Sequence, residues 1–456
     1  MDFSREERMG SAPIPGLILG MSVPSIIAQV INVLYNIVDR IYIGHIPGVG
    51  AAALTGVGLT FPITILVSAF SSFASAGGAP LSAIWLGKGD RERAEKIQGS
   101  SLWLLLVFTA ALMVVFYAFH RPFLFAFGAS EDTIVYASAY LKIYLAGTLF
   151  VELALGLNTF IIVQGQSRIA MYSILIGAVV NIALDPVFIF VFGWGVRGAA
   201  AATVISQAVS AFWNLKFLMG KKSTLKIRAS LIRFDAWSVR NVFSLGISPF
   251  IMRFTECLIN VVMNRQLQIY GNDLYVGSMT IMQSVMQLLS APLSGFTQGV
   301  QPIISYNFGA GKFDRVKTLY RIMIGICFVF AFAATGTAVL FPEFYAGMFT
   351  TDADLVRLVG EVMPVFLFGM LFFGVQQGIQ PTFLALGQAK ISLFIALLRK
   401  VILLVPLALI LPRFLGVMGV YYAEPVSDLL SAATASVLFL ANIRKILSEE
   451  TLGKIV

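Results

Sequence analysis

Charge is scarce in this 456-residue chain: Lys, Arg, Asp and Glu make up 12% of it against 58% hydrophobic residues, and the mean hydropathy is +0.86. A soluble domain of this size needs roughly twice that charged fraction, so a water-facing globule is excluded. Cysteine is scarcer still. Cys257 and Cys327 both fall inside apolar stretches, where they read as small fillers and exclude a disulfide framework. The two histidines, His45 and His120, sit near loop ends, and neither H-E-x-x-H nor G-x-S-x-G occurs. There is no G-x-x-x-x-G-K-[ST] either: Gly311-Lys312 lacks the first glycine at the required spacing and the following Ser or Thr. Hydrolysis of ATP, and enzymatic chemistry in general, therefore have no residues to rest on.

What the chain does have is long apolar runs between polar breaks, such as Leu102 to Phe119, Ile322 to Phe341 and Leu393 to Leu411, each about long enough to cross a bilayer. An all-α integral membrane protein follows, because lipid supplies no partners for an open backbone. Twelve transmembrane helices are expected near 17–44, 52–78, 98–119, 132–159, 167–192, 197–219, 241–269, 275–301, 318–341, 355–383, 390–412 and 417–443. Basic residues sort onto alternate loops: Lys88, Arg91, Arg93 and Lys96, then Arg168, Lys216 to Arg240, Lys312 to Arg321, Lys390, and Arg444 with Lys445. By the positive-inside rule those loops and both termini are cytoplasmic. The net charge of +9 then reflects topology and anionic membrane lipid, and basic residues dispersed without aromatic interleaving argue against a nucleic-acid partner. Asp2, Glu6 and Glu7 ahead of the first run favour a mature first span over a cleaved signal peptide.

The organisation is written twice. PLSAIWLGKGDRERAEK from Pro80 is answered by PIISYNFGAGKFDRVKT from Pro302, pairing Gly87/Gly309, Gly89/Gly311 and Arg93/Arg315 at 309 − 87 = 222. Gly165-Gln166 against Gly387-Gln388 repeats that register, and Gly195/Gly416 and Gly198/Gly419 follow at 221. Two six-helix lobes are expected, 1–220 and 241–456, related by a pseudo-twofold axis along the membrane normal. The segment 221–240 between them interleaves Lys221, Lys222, Lys226, Arg228, Arg233 and Arg240 with apolar residues and reads as a cytoplasmic, surface-lying tether. Lobes of this kind rock about a midplane site in secondary transporters.

Ionisable residues inside spans are costly unless they face a cavity or a partner, which makes each a functional candidate. Asp39 lies in NVLYNIVDRIYIG and Asp185 in NIALDPVFIF; Asn181 and Asp185 are four apart and share a helix face. Pro186 frees the carbonyl of Ile182, adding an oxygen nearby. Two carboxylates with amide and carbonyl oxygens describe a hard-cation or proton site. The competing reading is that Asp185 only caps a break at Pro186 and Asp39 pairs with Arg40. Arg253 and Glu256, three apart, form either a self-neutralised pair or a coupling element, and Arg399 with Lys400 fits either snorkelling to an interface or attracting anionic lipid, with no further role assigned. Glu152, Glu424 and Asp428 are further acids without a neighbouring motif. Asn32, Tyr35, Asn36, Tyr140, Tyr144, Asn158, Gln283, Gln287, Gln376, Gln377 and Gln380 are candidates to line a cavity, with Met279, Met282 and Met286 as a deformable apolar wall. The competing role for these polar residues is interhelical glue.

Twelve spans in two repeats, the Gly-x-Gly loops, V-D-x-x-x-I-G at Val38 to Gly44 and N-x-x-x-D-P at Asn181 to Pro186 together give a chain that resembles, over essentially its whole length, the multidrug and toxic compound extrusion family. Within it the likeness is to the DinF-like branch and its MepA-like efflux proteins. The resemblance implies export of cationic amphipathic drugs and dyes in exchange for H⁺ or Na⁺, with no other cofactor, by a monomer in the bacterial inner membrane. It implies a cation site, and so a Na⁺ site, at Asp39, Asn181, Asp185 and Thr203, with Tyr140 and Asn158 nearby, and a bend of the first span at Pro24. The NorM-like branch instead uses acids on the seventh and tenth spans; here Glu256 is kept but Val375-Gln376 stands at the other position, leaving Glu256 as a substrate or gating residue. Tyr35, Asn32, Gln283, Gln287, Met282 and Met286 would join it around the substrate. Other readings are a lipid-linked oligosaccharide flippase, an exporter of one metabolite, or a non-transporting receptor or scaffold.

Overall fold

The computed structural model describes residues 7–49, 53, 56–127, 129, 131–349 and 353–448, and among them every regular element is a helix and none a strand. A short α1 (Glu7–Ser11) precedes α2 (Ile14–Gly44), α3 (Phe61–Gly87) and α4 (Arg91–Ala126). Next, α5 (Ile134–Ala146) and α6 (Thr148–Val163) meet at Gly147 in a 57° bend and together cross once. The first half closes with α7 (Ser167–Pro186), which passes into a π-helical turn at Val187–Val191, and α8 (Val196–Met219). The second half runs α9 (Ala236–Tyr270), α10 (Asp273–Gly309), α11 (Phe313–Leu340), a short α12 (Pro342–Gly347), and α13 (Ala353–Leu367) bent by 45° into α14 (Met370–Ala385). It ends with α15 (Ala389–Leu397), a π-helical turn at Leu398–Leu404, α16 (Val405–Leu415) and α17 (Val417–Ile446).

Eight of these passes are apolar and long enough to cross a membrane alone, and the two bent pairs bring the number to ten. The remaining two, α8 and α10, are 24 and 37 residues long but more polar. In α8 the reason is visible: Ser210 donates to the Ser173 carbonyl at 2.8 Å and Asn214 to the Ala154 carbonyl at 3.0 Å, so these buried polar residues fasten it to α7 and α6. Twelve passes thus form two lobes of six.

The lobes meet through α2 against α10 and α3 against α9. Glycines make the approach: a Cβ on Gly295 or Gly299 would strike the backbone of α2 at Ser25–Ile26 or Met21–Ser22, and one on Gly77 or Gly246 would strike α9 or α3. Gln29 and Gln298 bond across the same seam at 3.0 Å. All of these lie in the half of the bundle nearer the basic loops. There the repeated loops clasp the opposite half. Arg93 and Lys88 stack on Trp85 and Arg93 also on Trp237, at the start of α9. Arg315 donates to the carbonyls of Met9 and Ala12, and Lys312 to that of Gly10, ahead of α2. The echoes legible in the sequence mark left-handed turns: Gly89 and Gly311 have φ of 82° and 69°, where a side chain is strained.

The tether does not lie free on the surface. Gln164 accepts from the Ser223 hydroxyl and from the N–H groups of Thr224 and Leu225, at 2.9, 2.7 and 3.1 Å. Buried Glu95 pairs with Arg228 at 3.1 Å and Lys96 with Asp235 at 2.9 Å. Buried polar groups at the ends of α4 and α6 need these partners, which pins the segment to the first lobe.

Candidate functional site

α2, α5, α7 and α8 bring polar side chains to one place inside the first lobe. Asp185, in the last turn of α7, is fully buried, and Asn181 one turn before it donates from its amide nitrogen at 3.5 Å. The Asp39 carboxyl, from α2, comes within electrostatic reach of the Asp185 carboxyl. Two ionised carboxylates brought together in the interior repel each other, which a shared proton or a cation relieves. Around the pair, the Tyr35 hydroxyl bonds with Gln207, and the Tyr140 hydroxyl with Thr203, both partners lying on α8. Tyr140 stacks on Tyr144 with ring centres 6.2 Å apart.

Three oxygens at the site are buried without a hydrogen-bond partner: Asp39 Oδ1, Asn181 Oδ1 and Asp185 Oδ2. Unpartnered buried oxygens are unfavourable, and two carboxylates with an amide oxygen beside them are the oxygen types that suit a hard monovalent cation or a proton. Among the described residues no three His, Cys, Asp or Glu come together to hold a metal ion, so any cation here draws on two carboxylates plus neutral oxygens. Asp39 does not pair with Arg40, whose guanidinium instead lies 4.6 Å over the Phe61 ring. Nor does the chain stop at Pro186; it continues into the π-helical turn.

Other expected site residues lie elsewhere. Asn158 donates to the Ala170 carbonyl at 2.9 Å and ties α6 to α7. Pro24 is buried in a helix that runs through it unbroken, beside the seam with α10. Asn32 is half-buried on α2, and its carbonyl accepts from Asn36 at 2.6 Å. Gln283 donates to Asn260 on α9 at 2.7 Å, while Gln287 and Glu256 are exposed. The expected methionine wall is thinner than its spacing suggests: Met279 and Met282 are fully buried in the core of the second lobe, and Met286 alone stays at its edge. Glu152, fully buried on α6, has no partner for either carboxyl oxygen.

The second lobe holds a cluster that no sequence motif announces. Arg399 does not snorkel to an interface; it is 5% exposed, pairs with Asp428 at 2.6 Å and Glu424 at 3.1 Å, and lies 4.0 Å over the Phe373 ring. The repeat contains a signal for it. At the 221 register Thr203 falls on Glu424 and Gln207 on Asp428, so the acids of α17 stand where α8 faces the carboxyl pair in the first lobe. Arg253 and Glu256 make no ion pair within 4 Å, and the charge of Glu256 acts on Arg253, Arg399 and Lys400.

A model of the MatE family matches residues 24–187 and again 249–410, once per lobe. The multidrug export protein MepA of Staphylococcus aureus (strain MSSA476) is 26% identical over 430 residues, 94% of each chain. Among solved structures, the outward-facing conformation of a multidrug resistance MATE family transporter of the MOP superfamily superposes with a TM-score of 0.89 at 22% identity, covering both chains completely. A MOP superfamily transporter from Pyrococcus furiosus superposes with 0.91 at 20% identity, over 98% of this chain and all of its own. At those identities the superpositions speak for the fold.

Proposed function

The chain belongs to the MatE family, matched in both of its halves, and from that premise we propose that it is a secondary active multidrug efflux antiporter of the bacterial inner membrane. It exports cationic amphipathic compounds in exchange for H⁺ or Na⁺ by alternating access. The similarity to the MepA export protein over nearly the whole chain supports the transport reading. The observation that carries the coupling is the Asp39–Asp185 contact with its three unpartnered oxygens.

In this reading residues 1–220 and 241–456 are the rocking units, 221–240 joins them, and the basic loops and both ends of the chain face the cytoplasm. The helices meet closely at Gly77, Gly246, Gly295 and Gly299, and in this reading that seam holds the cytoplasmic side closed while the lobes part on the other. A proton or Na⁺ arriving from outside neutralises Asp39 and Asp185, with Asn181 and Thr203 as further ligands and Tyr140 and Tyr35 fixing the partners on α8. Neutralisation lets α2 bend at Pro24, where the missing N–H leaves the helix ladder weak. The cavity of the first lobe then shrinks and the drug leaves. Glu256, Gln283, Gln287 and Met286 offer the bound compound a charge, amides and a soft surface from the second lobe, and the transporter acts as a monomer.

The test is efflux of a cationic dye from proteoliposomes under separately imposed pH and Na⁺ gradients. Wild-type protein should respond to at least one gradient, and Asp39→Asn and Asp185→Asn should each lose that response with normal expression. Gradient-driven export by both variants at the wild-type rate would overturn the coupling assignment.

A further inference from the structure

The two copies of the duplicated loop are unequal in what they hold. At the register 307 − 85 = 315 − 93 = 222, Trp85 answers Asn307 and Arg93 answers Arg315. In the second copy the pair is satisfied: Asn307 Oδ1 accepts from Arg315 Nε at 3.0 Å, Asn307 Nδ2 donates to the Met9 carbonyl at 2.8 Å, and the Arg315 guanidinium also donates to the Ala12 carbonyl at 2.7 Å. An indole N–H can only donate, so Trp85 gives Arg93 no acceptor. Trp85 Nε1 and Arg93 Nε are both buried without a hydrogen-bond partner.

The residues of the first copy share one small space, at the junction of α3, α4 and α9. The Lys88 ammonium lies 4.5 Å from the centre of the Trp85 ring and the Arg93 guanidinium carbon 5.6 Å from it. Arg93 also lies 4.1 Å over Trp237, whose ring stands 5.7 Å from that of Trp85. Trp85 is buried, while the two cations over it are half-buried, long and flexible, so a group arriving from solvent meets them first. Neighbouring carboxylates do not take up the Arg93 side chain. Glu95 pairs with Arg91 and Arg228, Asp235 with Lys96, and Asp90 accepts from the Arg93 backbone N–H as the cap of α4. Glu92 is exposed and makes no ion pair among the described residues. Buried donors beside two cations, with no acceptor among them, call for an anion.

We infer that Lys88, Arg93 and Trp85 form a site for a phosphate group. Arg93 offers a guanidinium edge shaped for phosphate oxygens, Lys88 a mobile charge, and Trp85 an N–H. Position favours a phospholipid head group as the source. Phe234, three residues before Trp237, is 59% exposed and packs with its ring centre 5.4 Å from that of Trp103, the kind of aromatic surface that sits at a membrane interface. Arg93 bridges Trp85 of the first half to Trp237 of the second, so a phosphate held here bears on the clasp between the halves. The site is separate from the Asp39 and Asp185 carboxyls and does not depend on what the protein transports.

The test is native mass spectrometry of purified protein in an uncharged detergent, with three probes: dioleoylphosphatidylglycerol, dioleoylglycerol, which has the same tails and no phosphate, and inorganic phosphate as competitor. Wild-type protein should hold the phospholipid in preference to dioleoylglycerol. Arg93→Gln should raise the Kd of the first phospholipid adduct about tenfold, the loss of one charge-assisted contact, and Lys88→Gln should raise it severalfold. Arg444→Gln, which removes an equal charge from an exposed basic position, should stay within about twofold. Displacement of the lipid by inorganic phosphate would make this a site for phosphate from either source; no displacement, with the variant pattern intact, would tie it to the lipid. Equal weakening by Arg93→Gln and Arg444→Gln, or dioleoylglycerol bound as tightly as the phospholipid, would overturn the inference. Should Arg93→Gln fail to fold, Lys88→Gln, in the loop, decides alone, and an unchanged Kd there would overturn it as well.

Discussion

Gly87 of α3 and Gly309 of α10, one repeat apart in sequence, face each other's helix at a single crossing: a methyl on Gly87 would run into the Tyr306 carbonyl oxygen, and one on Gly309 into the Ile84 carbonyl oxygen. The duplicated loop therefore carries a contact that closes the two halves on each other at the end of the bundle bearing the basic loops. Its basic residues extend that closure, Arg93 onto Trp237 and Arg315 onto Met9 and Ala12.

Gly309→Val should push α3 and α10 apart, because neither backbone can give way. Overpacking of this kind costs about 1–3 kcal/mol. A cysteine placed at Gln298, on the seam with Gln29, should then become reactive to a water-soluble maleimide. Labelling as slow as in the unmodified glycine background would show that the crossing does not hold this end shut.

Arg399→Met should be strongly destabilising, by about 3–5 kcal/mol, because it leaves Glu424 and Asp428 buried without their counter-ion. The triple variant Arg399→Met, Glu424→Gln, Asp428→Asn should recover most of that loss. Thermal unfolding in detergent reads both; a single variant as stable as the wild type would mean the ion pairs are dispensable.

Asp235 gives the fold a pH dependence outside the membrane. Burial pushes its carboxyl up, but the Ser238 hydroxyl, Lys96 and the Ser238 N–H outweigh that and hold it down at about 2. Since the folded value lies below the ordinary carboxylate value of about 4, the stabilisation is fully present above about pH 4 and is lost as the pH falls through about 2. Wild-type protein should melt above Asp235→Asn at pH 6, with the gap narrowing toward pH 3. A gap that does not change with pH would trace the effect to something other than the ionised carboxylate.

Much of the site is legible in the order of residues alone. N-x-x-x-D-P puts Asn181 and Asp185 on one face of one span, and the cost of burying acids singles out Asp185 and Asp39. The methionines show the limit. Met279, Met282 and Met286 follow helical spacing, yet two of the three point into the core of their own lobe. Spacing says which residues share a face, and not which way that face turns.

By itself, then, the sequence determines a membrane-buried, helical, duplicated chain, because scarcity of charge, run length and internal echo are properties of one strand of residues. Only the tertiary structure decided which distant side chains meet: Asp39 with Asp185, Tyr140 with Thr203, Arg399 with Glu424 and Asp428. Such contacts depend on how separate helices are rotated and stacked, and helix rotation is set by packing between neighbouring helices that no local spacing records.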